Sequence, residues 1–185
     1  MDLDAMVAEL DEHEFEDLEE ATKIRLLNDA YQDICARYRW PFLTTTDTSL
    51  EIDDEGVVEW PDDLSHIKRV YKLDDTSHRN LLDYDRNFFL EEGLPVFRKH
   101  LFNKDIVVVY YVTPEDLETG DEPVFPAKYH RLVVIGALVS AYQMTDDLDY
   151  AQVFEAKLDK RIARMAADLF SRDVAPRKRI DIYAH

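Results

Sequence analysis

Few side chains in this sequence are spaced for catalysis or metal binding. No two of the six histidines have the spacing of zinc ligands; they are His13, His66, His78, His100, His130 and His185. The four scattered glycines cannot build a phosphate-binding loop, and no Cys-x-x-Cys or His-Glu-x-x-His motif occurs. The one cysteine, Cys35, lies in a helical pattern with no histidine near it in sequence, which favours a buried structural thiol. We therefore predict neither an enzyme nor a bound cofactor.

Two acidic clusters could hold a hard cation in principle. They are Asp53-Asp54-Glu55 and Asp146-Asp147-Asp149. The first is expected in a hairpin turn and the second in a loop between helices. Neither has the alternating ligands, glycine and final glutamate of a calcium loop. Solvated turns explain both clusters, so no metal site is predicted.

The sequence is strongly acidic. Its 40 Asp and Glu residues against 22 Lys and Arg give a formal net charge of −18. Because proteins grip nucleic acids through Lys and Arg, this charge disfavours DNA binding, although it suits a surface that DNA must pass without sticking. A salt-adapted host would favour the same surface. No apolar run approaches the ~20 residues that span a bilayer, so no membrane partner is expected.

Helical periodicity marks both ends of the chain. A short amphipathic helix is predicted at residues 3–10 and a longer one from Leu18 to Tyr38. Pro41 stops the longer helix, because proline cannot continue the hydrogen-bond ladder. Towards the other end, helices are predicted at residues 127–144 and 148–170.

The predicted helix at residues 127–144 is apolar nearly all round between Leu132 and Tyr142. Such a helix is expected to be the most buried element of the fold. Gly136 lies within this apolar stretch and would let another helix approach closely.

Residues 44–112 are mostly of the strand type. The strands predicted here are residues 44–52, 57–60, 66–73, 96–102 and 105–112, and residues 57–60 would return the chain after the turn that follows residue 52. A short helix is predicted at residues 83–92, and a hairpin is predicted across Asn103 and Lys104. Residues 106–112 are apolar on both faces, so they should form a central, covered strand.

Together these elements predict an α+β protein. Residues 1–43 and 113–172 would form one helical bundle, built from the N- and C-terminal helices. Residues 44–112 would form a β-rich antiparallel lobe inserted into that bundle. Residues 173–185, which break the helical pattern at Pro176, would form an extended C-terminal arm.

The segment Trp40-Pro41-Phe42 lies where the second helix passes into the strand region. One interpretation is an exposed knob that binds a partner. The other is a plug that ends the helix and seats the β lobe on the bundle. We favour the plug, because a junction between helix and lobe is where such a plug is needed.

The order and spacing of several short motifs resemble one known family. The motifs are Leu27–Arg37 with Trp40-Pro41-Phe42-Leu43, Trp60-Pro61-Asp62-Asp63-Leu64, Gly93-Leu94-Pro95, Tyr110-Tyr111, Asp121-Glu122-Pro123 and Pro126–His130. Over residues 2–170 the pattern is similar to the head-to-tail adaptor proteins of tailed bacteriophages and related viruses, also called connector or head completion proteins. Between Leu101 and Val107 the chain departs from the usual pattern, which often has a Gly- and Pro-rich turn there.

This resemblance implies a structural virion protein of the neck, at the head–tail interface. It would form a ring, usually of twelve copies, under the portal protein. The ring would extend the DNA channel and dock a stopper or tail-completion protein, while DNA passes through without specific binding. During assembly the protein would be in the host cytoplasm. No cofactor is implied.

The C-terminal arm carries the densest basic cluster of the chain, followed by apolar residues in strand-like alternation. These residues are Arg177, Lys178, Arg179, Ile180, Ile182 and Tyr183. Our hypothesis is that the arm folds onto the portal or a neighbouring subunit, where basic residues meet acids and the apolar residues fill pockets or extend a sheet. The alternative is a frayed chain end without a role.

Three other functions stay open. A stopper or tail-completion protein is one, although such proteins lean towards a small β-barrel and the flanking helices here argue against it. An acidic soluble interaction or regulatory protein of a salt-adapted host is another, and it would be a monomer or dimer. An enzyme with a metal site made of acids is the third.

Overall fold

The computed structural model describes residues 1–73, 79–82, 86–91 and 94–170. The predicted C-terminal arm lies outside these residues. The fold is α+β, as the sequence predicts. The chain divides into two compact units. Among the described residues, the helical unit comprises Met1–Phe42 and residues 115–170, and the β unit comprises those within Leu43–Pro114. Whether they behave as separate domains stays a prediction.

The described helices of the helical unit are α1 (Leu3–Leu10), α2 (Glu20–Ala36), α3 (Arg131–Met144) and α4 (Leu148–Phe170). A π-helical turn, Asp11–Phe15, follows α1, and a 3-10 turn, Ala127–Tyr129, precedes α3. The Asp2 carboxylate caps α1 by accepting the Ala5 N–H at 2.9 Å, which satisfies one of the free amides of the first turn.

Helix α3 is the centre of the helical unit and packs against α1, α2 and α4. Its residues from Leu132 to Leu138 are all buried, which confirms the prediction from its uniformly apolar sequence. A Cβ added to Gly136 would lie 2.8 Å from the Cβ of Ala30 on α2. The glycine therefore permits the close helix contact that the sequence predicts.

Three polar side chains, Lys23, Asn28 and His130, are buried in the described part of the helical unit, and the first two hold loops. The Asn28 amide of α2 accepts the Leu117 N–H at 2.8 Å and donates to the Leu117 carbonyl at 3.2 Å. The Lys23 ammonium pairs with the Asp11 carboxylate at the end of α1. Because buried polar groups are costly without partners, these contacts fix the loops against α2.

The described strands of the β unit are β1 (Thr44–Ile52), β2 (Leu64–Leu73), β3 (Arg79–Leu81), β4 (Phe88–Glu91), β5 (Leu94–Phe97) and β6 (Lys104–Val112). Within the described part, one antiparallel sheet has the order β1-β6-β2-β3, and β4 pairs with β5. Strand β6 is central, with Ile106, Val107 and Val108 fully buried, which confirms the prediction from its apolar faces.

Two sequence predictions for the region of β4 to β6 are wrong. Phe88–Glu91, predicted as part of a helix, is strand β4, in which Phe88 faces Phe97 and Phe89 faces Val96 across the ladder. Aromatic and β-branched pairs stabilise a strand in this way. The predicted hairpin across Asn103 and Lys104 does not form, since a 3-10 turn at Lys99–Leu101 separates β5 from β6 and β6 pairs with β1 and β2 instead.

The turn predicted after β1 is present, but the chain does not return from it as a strand. Residues 57–60 are irregular, and the partner of β1 is β6. Gly56 occupies this turn with a φ of +89°, and its carbonyl accepts the Phe97 N–H at 2.9 Å. A second layer containing Phe97, Leu101 and Val58 thus covers one face of the sheet.

Candidate assembly surfaces

Both acidic clusters are explained by turns. The Asp53 carboxylate accepts the N–H groups of Glu55 and Val57 at 2.9 and 2.7 Å and so organises the turn after β1. In the described ranges of the chain, no group of three His, Cys, Asp or Glu side chains could hold a metal ion. The acids of the second cluster form the turn between α3 and α4.

That turn is a Schellman motif. Asp146 has a φ of +59°, its N–H donates to the Gln143 carbonyl, and the Asp147 N–H donates to the Tyr142 carbonyl at 2.9 Å. The motif satisfies the last carbonyls of α3 and reverses the chain into α4. It also exposes the residues beside it, so that carboxylates and large apolar side chains share one end of the hairpin. We call this end the acidic tip; it comprises Met144, Asp146, Asp147, Leu148, Asp149 and Tyr150.

Cys35 has the surroundings of a structural thiol. It is buried on α2, and burial raises its pKa from 9.0 to about 12, although a hydrogen bond from Tyr31 opposes the rise. A nucleophilic cysteine needs the opposite, a lowered pKa in an accessible position.

We therefore expect Cys35 to resist alkylation in the folded chain. At pH 8 a thiol of pKa 9 is roughly one-tenth thiolate, and one of pKa 12 is roughly 1 part in 10,000, so labelling should slow by at least about 1,000-fold. Iodoacetamide labelling followed by mass spectrometry checks this, with Leu148→Cys on the exposed turn as an internal fast control. Labelling of Cys35 at the rate of Cys in the denatured chain would contradict it.

Trp40, Pro41 and Phe42 lie at the boundary of the helical unit, and Trp40 is fully buried. Its ring stacks on Phe42 and on Phe170 of α4, with centroid distances of 5.5 and 5.7 Å. Its indole N–H donates to the Ile34 carbonyl at 2.8 Å. These contacts join the exit of α2 to the end of α4. The predicted role in seating the β lobe stays a prediction.

The predicted interface residues of the arm, Arg177 to Arg179 with Ile180, Ile182 and Tyr183, lie outside the described residues. Their role stays a prediction.

A cationic pocket of about 180 Å³ lies where the start of α3 meets α4. It is lined by Lys128, Tyr129, Arg131, Leu132, Arg161 and Arg164. Lys128 pairs with Asp168 at 2.6 Å, which raises the pKa of its ammonium, and Arg131 pairs with Glu9. The guanidinium groups of Arg161 and Arg164 make no ion pair or hydrogen bond with any side chain in the described part of the chain.

Sequence reasoning missed this pocket. Its cations come from two short segments that are 30 residues apart along the chain, and each segment alone has the form of an ordinary charged helix surface. A surplus of cations in one place of a chain with charge −18 becomes visible only when α3 and α4 pack.

Comparison with protein families decides what kind of protein carries these surfaces. The family model described as SU10 adaptor protein matches residues 1–179. The chain belongs to the SU10 adaptor protein family. It is thus a structural adaptor of a phage virion, which confirms the resemblance to head-to-tail adaptors.

An adaptor of this family is a component of the virion neck and interacts with portal and tail components. No curated protein matches the sequence of this adaptor significantly. Among the helices of its described residues, none is long and apolar enough to cross a membrane.

Proposed function

We propose that this adaptor forms a dodecameric ring under the portal, extends the DNA channel and docks the stopper or tail. The observation that carries the proposal is the family match over residues 1–179. Head-to-tail contacts between identical copies close into a ring when the rotation between them permits it. The subunit has exposed charged and apolar surfaces suited to such contacts, and its family is structural.

The charge of the chain supports a channel role. Each copy contributes −18, so acids that face the channel would repel the phosphate backbone, and DNA would slide through without specific binding. The same repulsion acts between copies. The seams between subunits therefore need apolar contact and pairs of opposite charge.

The untested sequence predictions complete this proposal. The helical bundle and the β lobe act as separate domains of each ring subunit, with Trp40, Pro41 and Phe42 at their junction. The C-terminal arm, residues 173–185, reaches the portal or a neighbouring copy through its basic and apolar residues. The protein assembles from the host cytoplasm onto the filled or filling head.

Mixing the purified chain with the portal protein of the same virus tests this function. We expect light scattering to show a complex with many adaptor copies per portal, and electron microscopy to show a second ring coaxial with the portal. If the chain stays a monomer or dimer and does not bind the portal at low or high salt, the proposed ring is refuted. It would favour the acidic interaction or regulatory protein of a salt-adapted host.

A further inference from the structure

The two charged surfaces of the helical unit lie at opposite ends of the α3–α4 hairpin. The cationic pocket is at the start of α3, where Arg131 lies, and the acidic tip follows its last residue, Met144. At 1.5 Å per residue, the 13 steps between them span about 20 Å. A subunit therefore cannot place its own acidic tip in its own cationic pocket.

We propose that the cationic pocket of each subunit binds the acidic tip of the next copy in the ring. The proposal rests on the proposed ring and names one of its seams. A tip-to-pocket contact joins two different surfaces, so it repeats head to tail around a closed ring.

The pocket contains more positive charge than the acidic side chains around it neutralise. Glu9 and Asp168 occupy two of its four cations, whereas Arg161 and Arg164 have no acidic partner among the residues that the structure describes. Arg161 is half-buried, so its guanidinium has lost part of its contact with water. A planar guanidinium binds carboxylates in a two-pronged geometry, which makes a carboxylate-bearing segment the expected occupant.

The acidic tip has the matching chemistry. Asp146 and Asp149 are exposed and form no ion pair with any residue that the structure describes, and Leu148 between them exposes 57% of its surface. The pocket offers the partly exposed Tyr129 ring beside its cations, so apolar and charged groups can be covered together. An interface with an apolar centre and charged surroundings is the usual form of a protein contact.

A second copy is a better occupant than DNA. A duplex that approached the pocket would meet a chain of net charge −18, and its affinity would have to come from only four cations. In a ring, by contrast, the tip of a neighbour is present at every seam and at a high effective concentration.

A cross-linking experiment tests the seam directly. Leu148 on the tip and Ala167 beside the pocket are both exposed, and replacing them with cysteine leaves every charge in place. The 19 helical steps from position 148 to position 167 on α4 span about 28 Å, far beyond the reach of a disulfide, so any bond between the two must join different copies. Buried Cys35 does not compete.

The full-length chain carrying Leu148→Cys and Ala167→Cys is assembled on the portal and oxidised, or treated with a short bis-maleimide. We expect a ladder of covalent oligomers on a non-reducing gel. Each single-cysteine variant should give no product larger than a dimer. If the wild-type chain and the double-cysteine variant both form rings but the variant gives no ladder, the proposed seam is wrong. The proposed function is then unaffected.

Charge reversal gives an independent measurement. Arg161→Glu with Arg164→Glu should weaken ring formation on the order of tenfold or more, because two attractive pairs become repulsive at every seam. The matched control is Arg25→Glu with Lys160→Glu, two exposed cations outside the pocket with the same change in net charge. Asp146→Gly with Asp149→Asn should weaken the ring similarly, and glycine keeps the left-handed turn.

The remaining outcomes identify other occupants and reject this one. Loss of the ring on deletion of residues 173–185, with no effect of the pocket reversal, would assign the seam to the arm. If Arg161→Glu with Arg164→Glu weakens DNA retention but changes neither ring formation nor the cross-linked ladder, the pocket binds phosphates instead. If the wild-type chain forms no ring, the proposed function fails, and the seam fails with it.

Discussion

Replacing Trp40 with alanine should lower the free energy of unfolding of the helical unit by about 3–5 kcal/mol. The Trp40 side chain is fully buried and stacks on both Phe42 and Phe170. Alanine would leave a large cavity there, remove both ring contacts and leave the Ile34 carbonyl without its indole donor. Urea unfolding followed by circular dichroism at 222 nm measures the loss.

Phenylalanine at position 40 separates the two parts of this effect. Trp40→Phe keeps a ring between Phe42 and Phe170 but has no N–H for the Ile34 carbonyl, so it should cost about 1–3 kcal/mol. It also leaves Trp60 of the β unit as the one tryptophan, so fluorescence then follows the β unit alone. A loss below about 1 kcal/mol in Trp40→Ala would contradict the packing described here.

Gly56→Ala should destabilise the β unit by about 2–4 kcal/mol, because strain and a steric clash act together. The φ of +89° is unfavourable for any residue with a Cβ. That Cβ would also lie 2.6 Å from the Phe97 carbonyl oxygen and 2.5 Å from the Phe102 ring. The ring could move aside, but the carbonyl belongs to the backbone of β5 and cannot move without disturbing its strand.

Gly120 offers a matched control for the clash. It also has a positive φ, +85°, but a Cβ there would meet no atom within 4 Å. Gly120→Ala should therefore lower the free energy of unfolding by about 1 kcal/mol. This value is the cost of backbone strain minus the gain from the lower conformational entropy of the unfolded chain. Thermal unfolding followed by Trp60 fluorescence in a Trp40→Phe background measures the first variant, and circular dichroism measures the second. Equal losses in the two variants would show that the Phe97 carbonyl does not confine Gly56.

The surfaces proposed for assembly differ in how far the sequence could predict them. The basic arm is a run of neighbours in sequence, so composition alone draws attention to Arg177 to Arg179. The cationic pocket has no such signal. Arg131 and Arg164 become neighbours through the pairing of two helices, and the sequence gives no sign that Arg161 would be left without an acidic partner.

The sequence by itself determined the four described helices of the helical unit. The hydrogen bonds of a helix join residues four apart, and its buried face repeats every three to four residues, so local pattern and Pro41 were enough to predict α2, α3 and α4. The close approach permitted by Gly136 was also visible in the sequence, because a small residue in an otherwise bulky buried helix has few other uses.

Only the tertiary structure decided which strands pair. Strand β6 could be recognised as central from its apolar faces, but its paired residues on β1 and β2 lie 34 to 67 residues away in sequence. Phe88–Glu91 fits a helix or a strand equally well by pattern, and pairing with β5 selects the strand. The hydrogen bonds between strands connect residues that are far apart in sequence, and the cations of the pocket also come from two distant segments. Such arrangements depend on the packing of the whole unit rather than on local sequence.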